Sequence, residues 1–164
     1  MAIKLTDSDV SECVGELLDH SIDLTARFLA DRSELSTTAA YTLNRADREG
    51  PVRLTTLAAR EGISQPSMTQ LIQRLERAGL VTRLPDPDDG RAALIDITDA
   101  GRTLLDERRR QRRQRLTTLL ATLTPEEQCE LWHSARVAMP IIHKLTASAD
   151  SAANDCAGRI TETG

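Results

Sequence analysis

The segment from Ser64 to Gly79, SQPSMTQLIQRLERAG, constrains the fold more than any other part of the chain. A serine precedes its first helical position, a proline follows in the first turn and a glycine ends it, and these are start and stop signals of an α-helix. Its large apolar residues recur at intervals of three and four, so they share one face. The segment therefore predicts a short helix that buries Met68, Leu71, Ile72 and Leu75.

The opposite face of this predicted helix has the chemistry of a DNA-reading surface. Its side chains are short or amide-bearing near the N-terminus and cationic further along. Amides and hydroxyls can hydrogen-bond to base edges, and guanidinium groups can bind guanine or phosphate. The alternative is an ordinary amphipathic helix with a solvated face. The candidate DNA contacts are Ser64, Gln65, Pro66, Ser67, Thr69, Gln70, Gln73, Arg74 and Arg77.

The elements on both sides of this helix favour the DNA-reading interpretation. Before it, TTLAAREG predicts a short helix capped by Thr55 and ended by Gly62, which permits a sharp turn. After it, strands at 80–84 and 92–98 flank a turn-rich segment and predict a β-hairpin. Helix, turn, capped helix and hairpin follow one another as in a winged helix-turn-helix. The predicted fold class is therefore mainly α with a small β-hairpin wing.

The remaining elements divide the chain into four segments. The terminal helices carry more apolar surface than a small winged-helix core could cover, which predicts dimerisation. The predicted elements are a helix from Asp9 to Leu29, a helix capped by Ser36 that runs to about Arg48, an edge strand at 52–54, a helix capped by Thr98 that runs to about Leu123, and a last helix that begins at Thr124. The segments are an N-terminal dimerisation helix (1–35), the winged helix-turn-helix domain (36–100), C-terminal helices that complete the dimerisation region (101–146) and a small, polar, disordered tail (147–164).

Charge is segregated along the chain in a way that suits DNA binding despite a formal net charge of −4. Residues 1–35 contain three basic and eight acidic residues, whereas residues 53–84 contain five arginines and two glutamates. Residues 101–116 contain seven arginines and two acidic residues. The electrostatic field of a basic middle segment can steer that segment toward an anion, even when the ends of the chain are acidic. Within it, the arginine-rich stretch 108–115 is interpreted as a solvated helix section, with auxiliary phosphate contacts as the alternative.

The hairpin tip, within RLPDPDDGRAALIDIT at 83–98, could be a cation site or a basic finger. Counted from Asp86 as an EF-hand loop, position 6 is Arg91 where a glycine is needed, and position 12 is Ile97 where a glutamate is needed. A guanidinium inside a cation cage is a further objection. The spacing therefore favours a basic finger, in which Asp86 and Asp88 can cap the turn.

Residues 35–124 resemble the MarR family of transcriptional regulators. The stretch SQPSMTQLIQRLERAGLVTRLPDPDDGRAALIDITDAG is similar to the recognition helix and wing of that family almost without gaps. The Asp-x-Arg signature of the family's wing falls on Asp89, Gly90 and Arg91, and Arg83 lies on the same wing. The resemblance implies that Arg91 enters the minor groove while Asp89 braces its guanidinium. Gly90 departs from the larger, often basic residue of the family.

The resemblance also implies a mode of action. It implies a cytoplasmic homodimer, built from the N-terminal helix and the last two helices, that binds double-stranded DNA at a pseudo-palindromic operator. It implies a regulator, typically a repressor, that is released when a phenolic or drug-like effector binds between the dimerisation and DNA-binding lobes. The alternative hypothesis from another class is a winged-helix protein-interaction module, a dimer scaffold without an operator of its own.

Other functional classes find little support in the sequence. There is no Ser-His-Asp spacing, P-loop, GxGxxG or HExxH motif, so neither an enzyme nor a cofactor is predicted. No run of apolar residues is long enough for a membrane span, and no membrane partner is predicted. The aromatic residues Phe28, Tyr41 and Trp132 are too few for a platform that stacks single-stranded bases.

The three cysteines are predicted to be free thiols of a reducing cytoplasm, because their number is odd and their spacing irregular. Cys13 lies where some peroxide-sensing relatives carry a reactive thiol, but no basic neighbour in the sequence supports that role. Cys129 and His133 stand four residues apart and could share a helix face as a metal pair. An ordinary core thiol and a surface histidine are the favoured interpretation, and a metal site would have to be completed by His20, His143 or Glu130.

Overall fold

The computed structural model describes residues 6–29, 35–89 and 92–161, and the side chains of these residues as far as 152. It consists mostly of helices with a small β-hairpin, as predicted, and the edge strand pairs with the second hairpin strand to complete a three-stranded antiparallel sheet. The elements are α1 (Asp7–Leu24), a π-helical turn (Thr25–Leu29), α2 (Thr37–Glu49), β1 (Val52–Arg53), α3 (Leu54–Arg60), α4 (Gln65–Arg77), β2 (Val81–Pro85), β3 (Ala93–Ile97), α5 (Asp99–Leu120) and α6 (Pro125–Thr161).

Hydroxyl caps set the starts of three helices where the sequence predicts them. The side chains of Ser36, Ser64 and Thr98 each accept a hydrogen bond from the backbone amide three residues on, at 3.2, 3.3 and 3.1 Å. The predicted cap at Thr124 likewise accepts from the Glu127 amide at 3.2 Å. The predicted cap at Thr55 is wrong, because α3 already begins at Leu54 and has no side-chain cap. The reason is that β1 pairs with β3 up to Arg53, so the helix starts as soon as the strand ends.

The hydrophobic core lies between α2, α3, α4 and the inner face of the sheet. All four residues of the predicted buried face of α4 are at most 4% exposed. Gly62, with φ of 63°, makes the turn that brings α3 and α4 together. The largest fully buried side chains of the core are Leu43, Leu57, Met68, Ile72, Ile95 and Leu105. Burial of these residues fixes which face of α4 remains outside.

The start of α5 packs very closely against the end of the helix-turn-helix. The Thr98 hydroxyl donates a hydrogen bond to the Gly79 carbonyl at 2.6 Å, and the Thr98 amide donates to the Leu80 carbonyl at 3.1 Å. A Cβ atom on Gly101 would lie 2.3 Å from the Leu80 oxygen and 2.6 Å from Cγ1 of Ile97. Only glycine therefore fits at this position near the start of α5.

The two terminal helices compare differently with the prediction. α1 has no buried residue, so its large apolar side chains are mostly exposed within one chain, whereas α6 departs from the predicted segments. α6 continues through Pro140 to Thr161, so the prediction of a disordered tail is wrong for 147–161, while 162–164 lie outside the described residues. Small residues such as alanine are good helix formers, and α6 also gains contacts with α3. No helix in the described part of the chain is long and apolar enough to cross a membrane.

Replacing Gly101 with alanine should destabilise the domain by about 1–3 kcal/mol, because the added methyl group meets backbone and a core side chain. Urea unfolding followed by circular dichroism measures the change. Gly15→Ala is the matched control, since a Cβ on this helical glycine meets nothing within 4 Å. The control should be neutral or stabilising, and an equal loss in both variants would contradict the packing argument.

Candidate DNA-binding surface

The outer face of α4 presents the residues predicted to read DNA. Eight of the nine candidates are exposed, and only Thr69 is half-buried. The Thr69 hydroxyl donates to the Gln65 carbonyl at 2.8 Å, and the hydroxyls of Ser64 and Ser67 lie 2.9 Å apart. These hydroxyls are therefore partly satisfied within the helix. The long side chains, Gln70, Gln73, Arg74 and Arg77, provide most of the outward-facing hydrogen-bonding groups.

The wing is attached to α4 by an ion pair. Arg83 on β2 donates from Nε to Oε2 of Glu76 on α4 at 3.2 Å. Its side chain remains 34% exposed. An exposed pair of this kind contributes at most about 1 kcal/mol, so Arg83 can exchange its partner for a phosphate. The structure thus places Arg83 between the recognition helix and the wing.

The turn at the wing is organised by a buried carboxylate. Asp86 is 5% exposed, and its Oδ2 atom accepts a hydrogen bond from Nε of Arg53 on β1 at 2.6 Å. Its Oδ1 atom accepts from the Asp88 amide at 2.9 Å, which confirms the predicted turn cap for Asp86. The Asp89 carbonyl accepts from the Ala92 amide at 2.9 Å and closes the turn. The base of the wing is therefore fixed to the sheet.

The tip of the wing carries the signature that the family resemblance singled out. Asp89 is exposed. Gly90 and Arg91 lie outside the described residues, so the bracing of Arg91 by Asp89 stays a prediction. The pairing of Arg53 with Asp86 was not predicted from the sequence, because the two residues lie 33 positions apart and Arg53 belongs to a two-residue strand. The Asp-Pro pair after β2 was the local signal for the turn.

Asp86→Asn should lower the stability of the domain at pH 7. The Arg53 guanidinium, followed by the Asp88 amide, holds the pKa of the Asp86 carboxyl below its ordinary value of about 4. A lowered pKa in the folded state contributes stability above the unfolded pKa, and this contribution is lost as pH falls through the folded pKa. The free energy of unfolding of wild type and variant, measured in urea between pH 7 and pH 2.5, should therefore converge below about pH 4.

The control for this measurement is Asp88→Asn, since Asp88 is an exposed carboxylate of the same turn. It should leave the unfolding curve nearly unchanged at every pH. A difference between wild type and Asp86→Asn that stays constant down to pH 2.5 would rule out an ionised, paired Asp86.

A cavity of about 390 Å³ lies where α2, α4 and the start of α5 meet. Most of its wall is aliphatic, and Arg74 and Ser36 add polar groups. Arg74 also belongs to the outer face of α4, so the cavity and the candidate DNA-binding surface share a side chain. The lining residues are Leu35, Ser36, Ala39, Leu71, Arg74, Leu75, Ala78, Leu80 and Leu104.

The arginine-rich stretch of α5 is only partly solvated. Arg112 and Arg113 are exposed, as predicted for a solvated helix section. Arg109 departs from that interpretation, because its Nη2 atom donates to Asn44 and Asp47 of α2, both at 3.0 Å. One arginine of the stretch therefore joins α5 to the DNA-binding domain.

The metal and redox candidates are separate from this surface. Cys13, Cys129 and His133 are exposed side chains of the terminal helices, so the prediction of a core thiol at Cys129 is wrong. Across the described side chains, no three His, Cys, Asp or Glu residues are grouped so that they could hold a metal ion. The side chain of Cys156 lies outside the described residues.

Comparison with known proteins agrees with the motif order and the fold. The model of the MarR family matches residues 35–93. The HTH-type transcriptional regulator Mb0904 of Mycobacterium bovis is 34% identical over 116 residues, which cover 71% of this chain and 81% of that protein. The chain belongs to the MarR family.

Two further similarities extend this assignment. The MarR-family chain is 35% identical over 77 residues to the homoprotocatechuate degradative operon repressor of Escherichia coli, which covers 47% of this chain and 52% of the repressor. The crystal structure of the transcriptional regulator Tm0710 from Thermotoga maritima has the same fold, with a TM-score of 0.67, 21% identity and coverage of 83% and 96%. The protein is a winged helix-turn-helix, DNA-binding transcriptional regulator, and its family consists of regulators rather than enzymes.

Proposed function

We propose that this MarR-family regulator acts as a cytoplasmic homodimer that represses transcription from a pseudo-palindromic operator until a small effector releases it. The observation that carries the proposal is the outer face of α4, whose amide and guanidinium groups stand clear of the core beside a wing attached to the same helix. Such a face can enter the major groove, while the tip of the wing reaches the adjacent minor groove.

In this proposal each residue type has a distinct role. Gln70 and Gln73 read base edges, because an amide can donate to and accept from adenine. Arg74 and Arg77 bind phosphate or guanine further along the helix. Arg91 occupies the minor groove, where narrow segments have enhanced negative potential. Asp89 braces the Arg91 guanidinium. The other assigned residues position the helix and the wing on the DNA backbone, and they are Ser64, Gln65, Pro66, Ser67, Thr69, Arg83 and Gly90.

The dimer is supported by apolar side chains that have no partner within one chain. On α1, Leu17 is 63% exposed and Ile22 is 65% exposed, and Val137 on α6 is 69% exposed. Nearly all large exposed apolar residues of the described chain lie on α1, the following π-helical turn or α6. Apolar surface concentrated in this way marks an interface. A second copy of the chain is the proposed partner.

Replacing both Leu17 and Ile22 with glutamate should convert the dimer to a monomer, because it places charges in the proposed apolar interface. Sedimentation equilibrium measures the mass. The matched control, Glu12→Gln with Glu16→Gln, changes two exposed polar residues of the same helix and should remain dimeric. A monomeric wild-type protein would overturn the proposed dimer.

The cavity beside α4 supports the proposed release mechanism. Its size and mainly aliphatic wall suit a small aromatic molecule, and the Arg74 guanidinium suits an acidic group on that molecule. A ligand that takes Arg74 as its partner withdraws that arginine from DNA. Such a ligand shifts the equilibrium only if it binds the released state more tightly than the DNA-bound state.

Selection of duplexes from a random pool at fixed salt should recover a pseudo-palindromic operator with half-sites about one turn apart. Gln70→Ala and Arg91→Ala should each weaken binding to it by about 1–3 kcal/mol, roughly tenfold to hundredfold, because each removes a specific contact. Fluorescence anisotropy measures the affinities. Repeating the selection in the presence of phenolic acids, one compound at a time, tests the release mechanism.

Arg112→Ala is the control for the loss of one positive charge, since Arg112 is an exposed arginine outside the proposed contacts. It should change the affinity less than threefold. The alternative function, a protein-interaction scaffold, predicts that no sequence is enriched and that Gln70→Ala and Arg91→Ala change nothing.

A further inference from the structure

The DNA-binding domain is joined to both C-terminal helices through charged residues on one helix, α2. From α5, Arg109 donates to Asn44 and Asp47. From α6, Asp150 accepts a hydrogen bond from Nη1 of Arg45 at 3.1 Å. The first contact brings a cation to an acidic residue of α2, and the second brings an acid to a basic one. α2 therefore makes ionic contacts with both C-terminal helices, in addition to the packing of α6 on α3.

Arg45 is the centre of a half-buried ionic cluster. Its side chain is 12% exposed, and besides Asp150 it contacts Glu49 at 2.8 Å and Glu61 at 3.3 Å. Arg60 also binds Glu49. Burial opposes the charge on Arg45, but hydrogen bonds with Asp150 and Glu49 outweigh it and raise the pKa of the guanidinium. Arg45 is thus permanently charged and held in place.

Asp150 differs from the other acidic partners in its origin. Glu49 and Glu61 belong to the DNA-binding domain itself, on α2 and directly after α3. Asp150 lies on α6, 25 residues after its start at Pro125. Removing Asp150 would leave Arg45 paired within its own domain. Only the ionic contact between α2 and α6 would be lost, while the contacts of α6 with α3 would remain.

We propose that Arg45 and Asp150 form an ionic latch that fixes the orientation of the DNA-binding domain relative to α6, and with it the separation of the two recognition helices. The second part rests on the proposed dimer. The latch makes Asp150 a positioning residue that acts on DNA through Arg45, although Asp150 lies outside the DNA-binding surface. A fixed separation restricts binding to one half-site spacing, because one extra base pair rotates a half-site by about 34°.

The orientation itself can be measured without DNA. Spin labels at Thr82→Cys on β2 and His143→Cys on α6, in a chain whose three native cysteines are serines, report their distance within one chain. Dilution with unlabelled chain removes distances between subunits. The latched protein should give one narrow distribution of distances. Asp150→Asn should broaden it at least twofold, and Asp150→Glu should largely restore it.

The consequence for DNA is tested with the selected operator and with versions whose half-site spacing is one base pair longer or shorter. Wild type should lose at least tenfold in affinity on the altered spacings, whereas Asp150→Asn should lose less than threefold. Glu130→Gln, an exposed acid of α6 outside the cluster, is the matched control and should behave as wild type. Circular dichroism checks that every variant is folded.

Unchanged distance distributions in Asp150→Asn would overturn the latch. A spacing penalty equal to that of wild type would overturn its role in setting the recognition helices. If the wild-type protein selects no operator, the proposed function fails, while the distance measurement still decides whether the latch exists.

Discussion

Burial of one face of α4 is the interaction on which the rest of the structure depends. Met68 and Ile72 are completely buried against α2, α3 and the sheet, so rotation of α4 about its axis would expose them and open the core. Truncating a core residue of this kind costs about 2–5 kcal/mol. The outward direction of Gln70, Gln73 and Arg74 is therefore a consequence of apolar packing. DNA recognition needs no separate device to present these side chains.

The contacts between the DNA-binding domain and the long helices are of two kinds. Leu105 of α5 lies in the hydrophobic core, and α6 contacts α3. The other contacts are ion pairs, such as Arg109 with Asp47 and Arg45 with Asp150. An exposed ion pair contributes about 0.2–1 kcal/mol, far less than the loss of about 2–5 kcal/mol when a core side chain is truncated. Breaking one such pair should therefore cost much less free energy than unfolding the domain.

Local chemistry made most of the fold predictable, and long separations in sequence hid the rest. The starts of three helices were predictable from Ser36, Ser64 and Thr98, because a capping side chain needs only a backbone amide three residues away. The period of α4 likewise revealed its buried face. The tail was mispredicted because its small residues lack apolar periodicity, yet they suit a helix that packs on α3. Contacts such as Arg53–Asp86 and Arg45–Asp150 span 33 and 105 positions, and no local pattern encodes them.

The cavity lies between the DNA-binding domain and α5. Its wall includes the C-terminal half of α4 and Leu104 of α5, so a molecule bound there touches both the DNA-binding domain and the helix that leaves it. Coupling between sites is typically about 1–3 kcal/mol. That exceeds the contribution of one exposed ion pair and is smaller than the cost of disrupting the core. Under the proposed release mechanism, coupling of this size would suffice to break one ionic contact without disturbing the packing that presents α4.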